Sequence, residues 1–248
     1  MSRYDEYDGF APYVPVAERR ARAAQAVQAL RRRNPHINPV IIDGRKLART
    51  WWGEAWNHNL ERYADFANRI GRGRSYLRHG AVLDLVLVPG QAVSLVQGSQ
   101  RQPYQVTVTI DALSSATWQS VTDACQGAIA SLSDLVEGRF PKSWAQLFTA
   151  QGGLFPTPQE IHVQCSCPDW AVLCKHASAV LYGIGTRLDD DPRLFFTLRQ
   201  VAVDDLISQA VTDRSESLLK KAGQKSQRVL DSSHADLSTL FGIDLDTD

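Results

Sequence analysis

The sequence predicts an α+β protein, in which an antiparallel β-meander packs with helices and is followed by a small ββα-like module rich in cysteine and histidine and by a C-terminal helix. Three observations support this class. Apolar residues recur at helical spacing in the first 67 residues, and three strand-like runs with turn signals between them follow. Three cysteines and one histidine then lie within twelve positions.

The first predicted element is an arginine-rich helix over residues 17–33. Its Ala, Arg, Gln and Leu residues are good helix formers, with no Gly or Pro among them. Val27 and Leu30 lie on a thin apolar stripe at helical spacing. Pro35 disfavours helix for the residue before it, so the helix ends there.

A second helix is predicted over residues 49–67, with Thr50 as its N-cap. Large aromatic side chains at helical spacing are more typical of a protein core than of a surface that stacks on nucleic-acid bases. We therefore assign Trp51 and the aromatic residues of this helix face to the core. The predicted buried face consists of Trp52, Trp56, Leu60 and Tyr63.

The next segment, residues 68–80, is rich in glycine and arginine, and we expect a loop or an edge segment. Three strand-like runs follow at residues 81–88, 92–98 and 104–110, with Pro89-Gly90 as the first turn. They predict a three-stranded antiparallel meander.

Further helices are predicted at residues 114–137, 141–150 and 202–223, the first of them capped by Ser114 or Ser115. Cys125 lies on the apolar face of the first and is expected in the core. We divide the chain into a basic arm and helix, an α+β domain, the cysteine- and histidine-rich module, and a C-terminal helix with an acidic tail. The bounds are 1–38, 39–150, 151–200 and 201–248.

Composition places the chain among water-soluble globular proteins. The hydrophobic fraction is 44% and the charged fraction 22%, and no run of eighteen apolar residues suggests a membrane span. The N-terminal residues have no signal-peptide pattern, so we expect a cytoplasmic protein with no membrane partner. Lys and Arg exceed Asp and Glu by 15 to 8 in residues 1–80 but number 12 against 19 in residues 81–248. This asymmetry favours an anionic partner for the basic half, although the two halves could also attract each other.

The cysteine spacing predicts a metal site. In a reducing compartment, three cysteines within ten residues indicate metal ligands before disulfides. Cys165 and Cys167 are two residues apart in a strand-like segment and therefore face the same side. Cys174 and His176 follow after a short loop, where a helix begins.

Three thiolates and one imidazole complete a tetrahedral sphere around one Zn²⁺ ion, so the predicted zinc is structural and not catalytic. Lys175 and the N-terminus of the following helix would offset the net negative charge of the centre. His162 would be a fifth ligand, and we interpret it as a strand residue.

This arrangement, Cys-x-Cys, a spacer, Cys-x-His and then an apolar helix, resembles the SWIM zinc finger, a module named from Swi/Snf-related ATPases and Mu-type transposases. Its ligand pattern maps onto all four residues. The segment 50–85 is similar to the N-terminal region of stand-alone bacterial SWIM proteins, and the resemblance covers roughly residues 40–200. It implies DNA-binding or protein-binding work beside a Swi/Snf-like helicase ATPase.

Arginines between glycines suit phosphate contacts, because arginine forms forked, charge-assisted hydrogen bonds and glycine admits a close approach. The opposing interpretation is a solvated edge whose arginines pair with carboxylates such as Asp65 and Asp84, and the N-terminal helix allows the same two interpretations. The candidate nucleic-acid contacts are Arg69, Arg72, Arg74, Tyr76 and Arg78, with Arg31, Arg32 and Arg33 at the end of the first helix.

The histidines and carboxylates form no recognisable catalytic set, so the chain is not expected to be an enzyme or to take a small-molecule substrate. The favoured function is a zinc-stabilised adaptor that binds nucleic acid, a Swi/Snf-like helicase ATPase, or both. The alternative is a subunit of a helicase complex that contacts protein alone, and a DNA-processing enzyme is a third, weaker hypothesis. The acidic tail would dock on a partner or fold back on the basic half.

Overall fold

The fold is known from a computed structural model of the chain. It describes residues 14–44, 46–61, 67–124, 142–150, 153–169, 171 and 173–202, with positions 204, 208, 212, 215, 216 and 218–220. The predicted roles of Tyr63, Asp65, Cys125 and the acidic tail lie outside the described residues.

Three helices precede the sheet: α1 Val16–Arg31, α2 Trp51–Glu61 and α3 Ala67–Arg78. The first two confirm the predicted helices, and the Thr50 hydroxyl caps α2 by accepting the Gly53 N–H at 3.1 Å.

Helix α3 corrects the prediction of a loop or edge segment at residues 68–80. Glycine lowers helix propensity, but a helix packed against a neighbour overrides that preference. Gly73 lies against Ser178, and a Cβ at Gly73 would come within 2.8 Å of the Ser178 carbonyl carbon. This glycine therefore permits a close helix contact instead of a flexible loop.

The sheet has four antiparallel strands in the order β1-β2-β3-β4. The predicted meander is confirmed, and a fourth strand from the cysteine-rich segment extends it. Leu85 pairs with Ser94, which pairs with Val106, which in turn pairs with Cys165, so all four lie on one face. The strands are β1 Val82–Val88, β2 Gln91–Val96, β3 Tyr104–Ile110 and β4 Ile161–Cys165.

The remaining helices are α4 Ser115–Ala124, α5 Ala145–Thr149, α6 Lys175–Asp190 and α7 Leu194–Arg199, with 3₁₀ turns at Lys142–Trp144 and Pro158–Glu160. Ser114 caps α4 by accepting the Thr117 N–H at 3.1 Å, as predicted. Each described position between 204 and 220 is helical, in agreement with the predicted C-terminal helix.

Helix α6 occupies the centre of the fold, against α2, α3 and the inner face of the sheet. The indole N–H of Trp56 donates to the Leu181 carbonyl at 2.9 Å, and that of Trp52 donates to the Leu188 carbonyl at 2.7 Å. Both indoles are buried, which confirms the prediction that these residues belong to the core.

The α+β class is confirmed, and the four domain bounds stay a prediction. Strand β4 and helix α6, which lie within the predicted module, share the sheet and core of the preceding residues. In the described part of the chain, no helix combines the length and apolar content that a membrane span needs.

Candidate metal centre

Two elements present the four candidate metal ligands. Cys165 is the last residue of β4, and Cys167 follows two residues later. Cys174 is the N-cap of α6, and His176 lies in the first turn of that helix. The prediction of a helix starting near His176 is therefore confirmed, whereas the extended segment ends at Cys165 and Cys167 lies in the bend that follows.

The four donor atoms have the separations of a tetrahedral site. All lie within 4.8 Å of one another. The His176 Nδ1 atom lies 4.0 Å from Cys165 Sγ and 3.9 Å from Cys174 Sγ. Zn–S bonds near 2.3 Å and Zn–N bonds near 2.0 Å, at tetrahedral angles, place such donors about 3.5 to 3.8 Å apart. The residues thus fit Zn²⁺, and closure of the widest separations by up to about 1 Å completes the sphere.

Hydrogen bonds prepare a thiolate at Cys174. The pKa of this thiol is lowered, chiefly because the Cys165 thiol donates to it, with support from His176 and from the Ala177 N–H. The Ala177 nitrogen lies 3.4 Å from Cys174 Sγ. The same hydrogen bond to Cys174, together with burial, raises the pKa of Cys165. Zinc binds the thiolate form and would displace that proton.

Sequence comparison agrees with this geometry. The sequence profile of the SWIM zinc finger matches residues 149–183. The chain contains a SWIM zinc finger. It binds one zinc ion through Cys165, Cys167, Cys174 and His176, in a module that binds zinc without catalysing a reaction.

A similar protein extends the match well beyond the zinc finger. Uncharacterized protein Rv2102 of Mycobacterium tuberculosis is 33% identical over 183 residues. The matched part covers 73% of this chain and 66% of the relative, slightly less than two thirds of its length. No solved structure matches the chain.

The His176 imidazole of the zinc finger is held by packing. Its ring centroid lies 4.6 Å from that of Tyr104 and 5.3 Å from that of Tyr76. A Cβ at Gly98 would come within 2.9 Å of Nε2, so the loop after β2 covers the ring. Nε2 is buried and has no hydrogen-bond partner among the described residues. A zinc-binding histidine usually donates its second N–H to a carboxylate or carbonyl, which orients the ring. Here the ring is oriented by the side chains and the loop that pack against it.

Charged and polar groups around the zinc finger come from α6 and α3, and the offset of charge by Lys175 stays a prediction. The Ala177 N–H supplies the predicted contribution of the helix N-terminus. The Lys175 ammonium lies 5.6 Å from the Tyr76 ring centroid, in cation–π geometry. Arg69 forms an ion pair with Asp169, two residues after Cys167, and thereby links α3 to the ligand loop.

The structure separates the predicted nucleic-acid residues into two groups. Arg69 and Arg74 are paired with carboxylates, Asp169 and Glu61, as the solvated-edge interpretation expects but with other partners. Asp84 instead accepts the Asn38 N–H at 2.8 Å. Half-buried Tyr76 packs on His176. The exposed group consists of Arg72, Arg78, Arg31, Arg32 and Arg33.

His162 extends from β4 as an exposed residue, with Nε2 3.1 Å from the Asp111 carboxylate, so its interpretation as a strand residue is confirmed.

Sequence reasoning named arginines of α1 as candidates for phosphate contacts but missed the two recesses beside this helix. The first recess, of about 430 Å³, lies between α1, the segment 39–42 and the end of α3. The second recess, of about 370 Å³, adjoins it at Ala23 and His79. Arg20, Arg31 and Arg78 line the first, and Arg19 and Arg22 line the second. The helical spacing of positions 20, 24, 27 and 31 indicates that these residues share one face of α1. It does not identify the surface on which that face packs, so the recess could not be predicted from it.

The positive charge of this surface lowers the pKa of His79. Burial of the imidazole is the largest cause of the lowered pKa, and the charges of Arg19, Arg20 and Arg78 lower it further. A neutral imidazole is therefore favoured at neutral pH, between the two recesses.

Proposed function

We propose that the chain is a zinc-stabilised adaptor that binds nucleic acid through the arginine surface beside α1. The observation that carries the proposal is the convergence of arginines from two elements, α1 and α3, on the two recesses. Phosphate backbones are the anionic ligands that such clusters suit, because each guanidinium forms forked hydrogen bonds to phosphate oxygens.

The charge of this surface is strongly biased. The described residues that line the two recesses include no Asp or Glu. The Arg22 guanidinium pairs with Glu18 one turn earlier on α1. The Arg20 guanidinium donates to the Arg78 carbonyl at 3.3 Å, which brings the two helices together.

The zinc finger supports this surface through packing. The start of α6 is anchored by the zinc ligands, and α3 lies on α6 at the contact of Gly73 with Ser178. Arg78 is the last residue of α3. Zinc would therefore set the position of part of the basic surface without contacting nucleic acid.

The test is a fluorescence-anisotropy titration of the zinc-loaded chain with labelled single-stranded and duplex DNA at two salt concentrations. We expect affinity to fall as salt rises, because phosphate contacts release counterions, with a logarithmic slope of about 0.7 to 0.9 per contact. Arg20→Ala combined with Arg78→Ala should weaken binding at least tenfold and reduce the slope by about 1 to 2.

Arg193→Ala is the matched control, because Arg193 lines neither recess and pairs locally with Asp191. It should leave binding unchanged. Absence of binding at low salt, or equal effects of the control and the double variant, would refute the proposal.

A separate observation, an exposed apolar patch on the sheet, favours a second function, which is binding to another protein. Val86, Val88 and Val93 are 38–46% exposed on the outer face of the sheet, and Val86 pairs with Val93 across β1 and β2. An exposed apolar patch of this kind is typical of a protein contact. The partner that the family resemblance implies is a Swi/Snf-like helicase ATPase.

A pull-down with such an ATPase tests the protein-contact function. Val86→Lys with Val93→Lys should abolish capture, while His162→Lys with Gln164→Lys, a control pair on the outer face of β4 that is separated from β2 by β3, should preserve it. Capture that survives the first pair would exclude this face.

A further inference from the structure

We infer that the first recess holds an unstacked base of single-stranded nucleic acid, with the adjoining phosphates on its arginine rim. The inference rests on the proposed function and adds the strand form and the site of the base.

The recess exists because α1 contacts the rest of the protein over a small area. Ala23 is the buried residue of this helix, although Val16–Arg31 spans 16 residues. Small side chains at the contact leave open volume on either flank of Ala23. About 430 Å³ lies within the range of about 300 to 1,000 Å³ for small-molecule sites.

The lining of the first recess combines an apolar floor with a cationic rim. Aliphatic side chains form the floor, and guanidinium groups from two elements form the rim. A lone phosphate ion would leave the floor unused, whereas a nucleotide has a flat apolar face beside a charged group. The floor includes Val27, Val40 and Ile42, and the rim consists of Arg20, Arg31 and Arg78.

Two further features of the lining point to a ligand. Ile41, which lines the recess, is 70% exposed, and among the large apolar residues that the structure describes only Leu219 is more exposed. Burial of this isoleucine side chain against a ligand would remove apolar surface from water, which favours binding. Gly80 has a φ of +72°, and a Cβ there would meet no atom within 4 Å, so the wall is open to close approach.

The shape of the ligand site favours a single strand over a duplex. The bases of a duplex are stacked inside the helix, and its convex backbone presents phosphates alone to a recessed site. A single strand can turn a base outward, and arginine guanidinium planes stack on such bases. An acidic peptide would satisfy the rim, but it would also need an aromatic side chain beside its carboxylates to fill the recess, whereas each nucleotide carries a planar base beside its phosphate.

The experiment compares a labelled single-stranded oligonucleotide, its duplex, and an abasic strand of the same length with the zinc-loaded full chain. We expect at least tenfold tighter binding of the single strand than of either other probe. Ala24→Trp, which fills the recess and keeps every arginine, should lower single-strand affinity at least tenfold and duplex affinity less than twofold.

Ala21→Trp is the matched control on the same helix, because Ala21 is exposed and lines neither recess. It should bind as the wild type does. The abasic strand gives a result with the unaltered protein even where Ala24→Trp impairs folding.

The outcomes separate the two proposals. Binding of none of the probes at low salt overturns nucleic-acid binding itself. Equal affinity for the single strand, the abasic strand and the duplex, or an unchanged affinity in Ala24→Trp, overturns the base site and leaves nucleic-acid binding in place.

Discussion

Helices α1 and α6 have the same length, 16 residues each, and opposite relations to the core. Helix α6 buries eleven residues, so its position determines how α2, α3 and the sheet meet. Helix α1 buries Ala23 alone among its residues, so it adds charge to the surface and little packing. Two helices of equal length can therefore have different roles. Burial of apolar residues makes α6 a source of stability, and its near absence leaves α1 available for binding.

Loss of a zinc ligand should have the largest effect, because zinc anchors the start of the central helix. Structural zinc contributes about 10 to 16 kcal/mol in apparent terms, which is comparable with the whole stability of a domain. We expect His176→Asn to lose stoichiometric zinc and the cooperative thermal transition, measured by elemental analysis and circular dichroism.

His162→Asn is the control for the ligand variant, because it removes an exposed imidazole from a pair with Asp111. It should keep one zinc and unfold within about 1 kcal/mol of the wild type. A His176→Asn chain that melts at the wild-type temperature would show that zinc does not hold α6.

The next largest effect should come from the contact of α3 with α6. Gly73→Ala places a Cβ against Ser178 and should destabilise the chain by about 2 to 3 kcal/mol, since overpacking forces the helices apart. Gly71→Ala, two residues away, meets no atom within 4 Å and should stabilise it by about 0.5 to 1 kcal/mol. Urea unfolding measures both, and effects of the same sign would contradict the packing of α3.

A buried ion pair beside α7 allows a test by pH. Arg199 is 2% exposed, and its guanidinium donates to the Glu160 carboxylate at 2.7 Å. Burial would raise the pKa of Glu160, but the Thr157 N–H, Arg199 and the Thr157 hydroxyl together lower it. Glu160→Gln should cost about 2 kcal/mol at pH 7, less than a fully buried pair because Glu160 is partly exposed.

The sign of this effect follows from linkage. A carboxyl group with a lowered pKa stabilises the folded state above its unfolded pKa of about 4.3, and that contribution is lost as pH falls through the folded value. Unfolding free energies of the wild type and Glu160→Gln should therefore converge in acid. Glu216→Gln, in an exposed pair with Lys220, should change stability by less than about 0.5 kcal/mol at every pH.

The smallest effect on stability is expected at the end of α1. Replacing the exposed Arg31, Arg32 and Arg33 by alanine should alter the unfolding free energy by less than about 0.5 kcal/mol. The same variant should weaken DNA binding and reduce its salt dependence. A large loss of stability with unchanged binding would reverse the roles assigned to α1 and α6.

The zinc ligands, the strands of the meander and the helices with a clear apolar stripe were predictable from local patterns. Cys165 and Cys167 lie two residues apart, and Cys174 precedes a helix, so short stretches of chain specify their geometry. The indole stripe of α2 was likewise visible as a helical period.

Long-range contacts settled the features that the local pattern left open or misrepresented. Helix α3 contains two glycines, Gly71 and Gly73, that lower helix propensity, and packing of Gly73 against Ser178 stabilises the helix nonetheless. Arg69 pairs with Asp169, which is 100 residues further along the chain. Arg74 pairs with Glu61, which is the last residue of α2. The recess beside α1 depends on how α1, the segment 39–42 and the end of α3 meet, and residue spacing along a single helix carries no information about that contact.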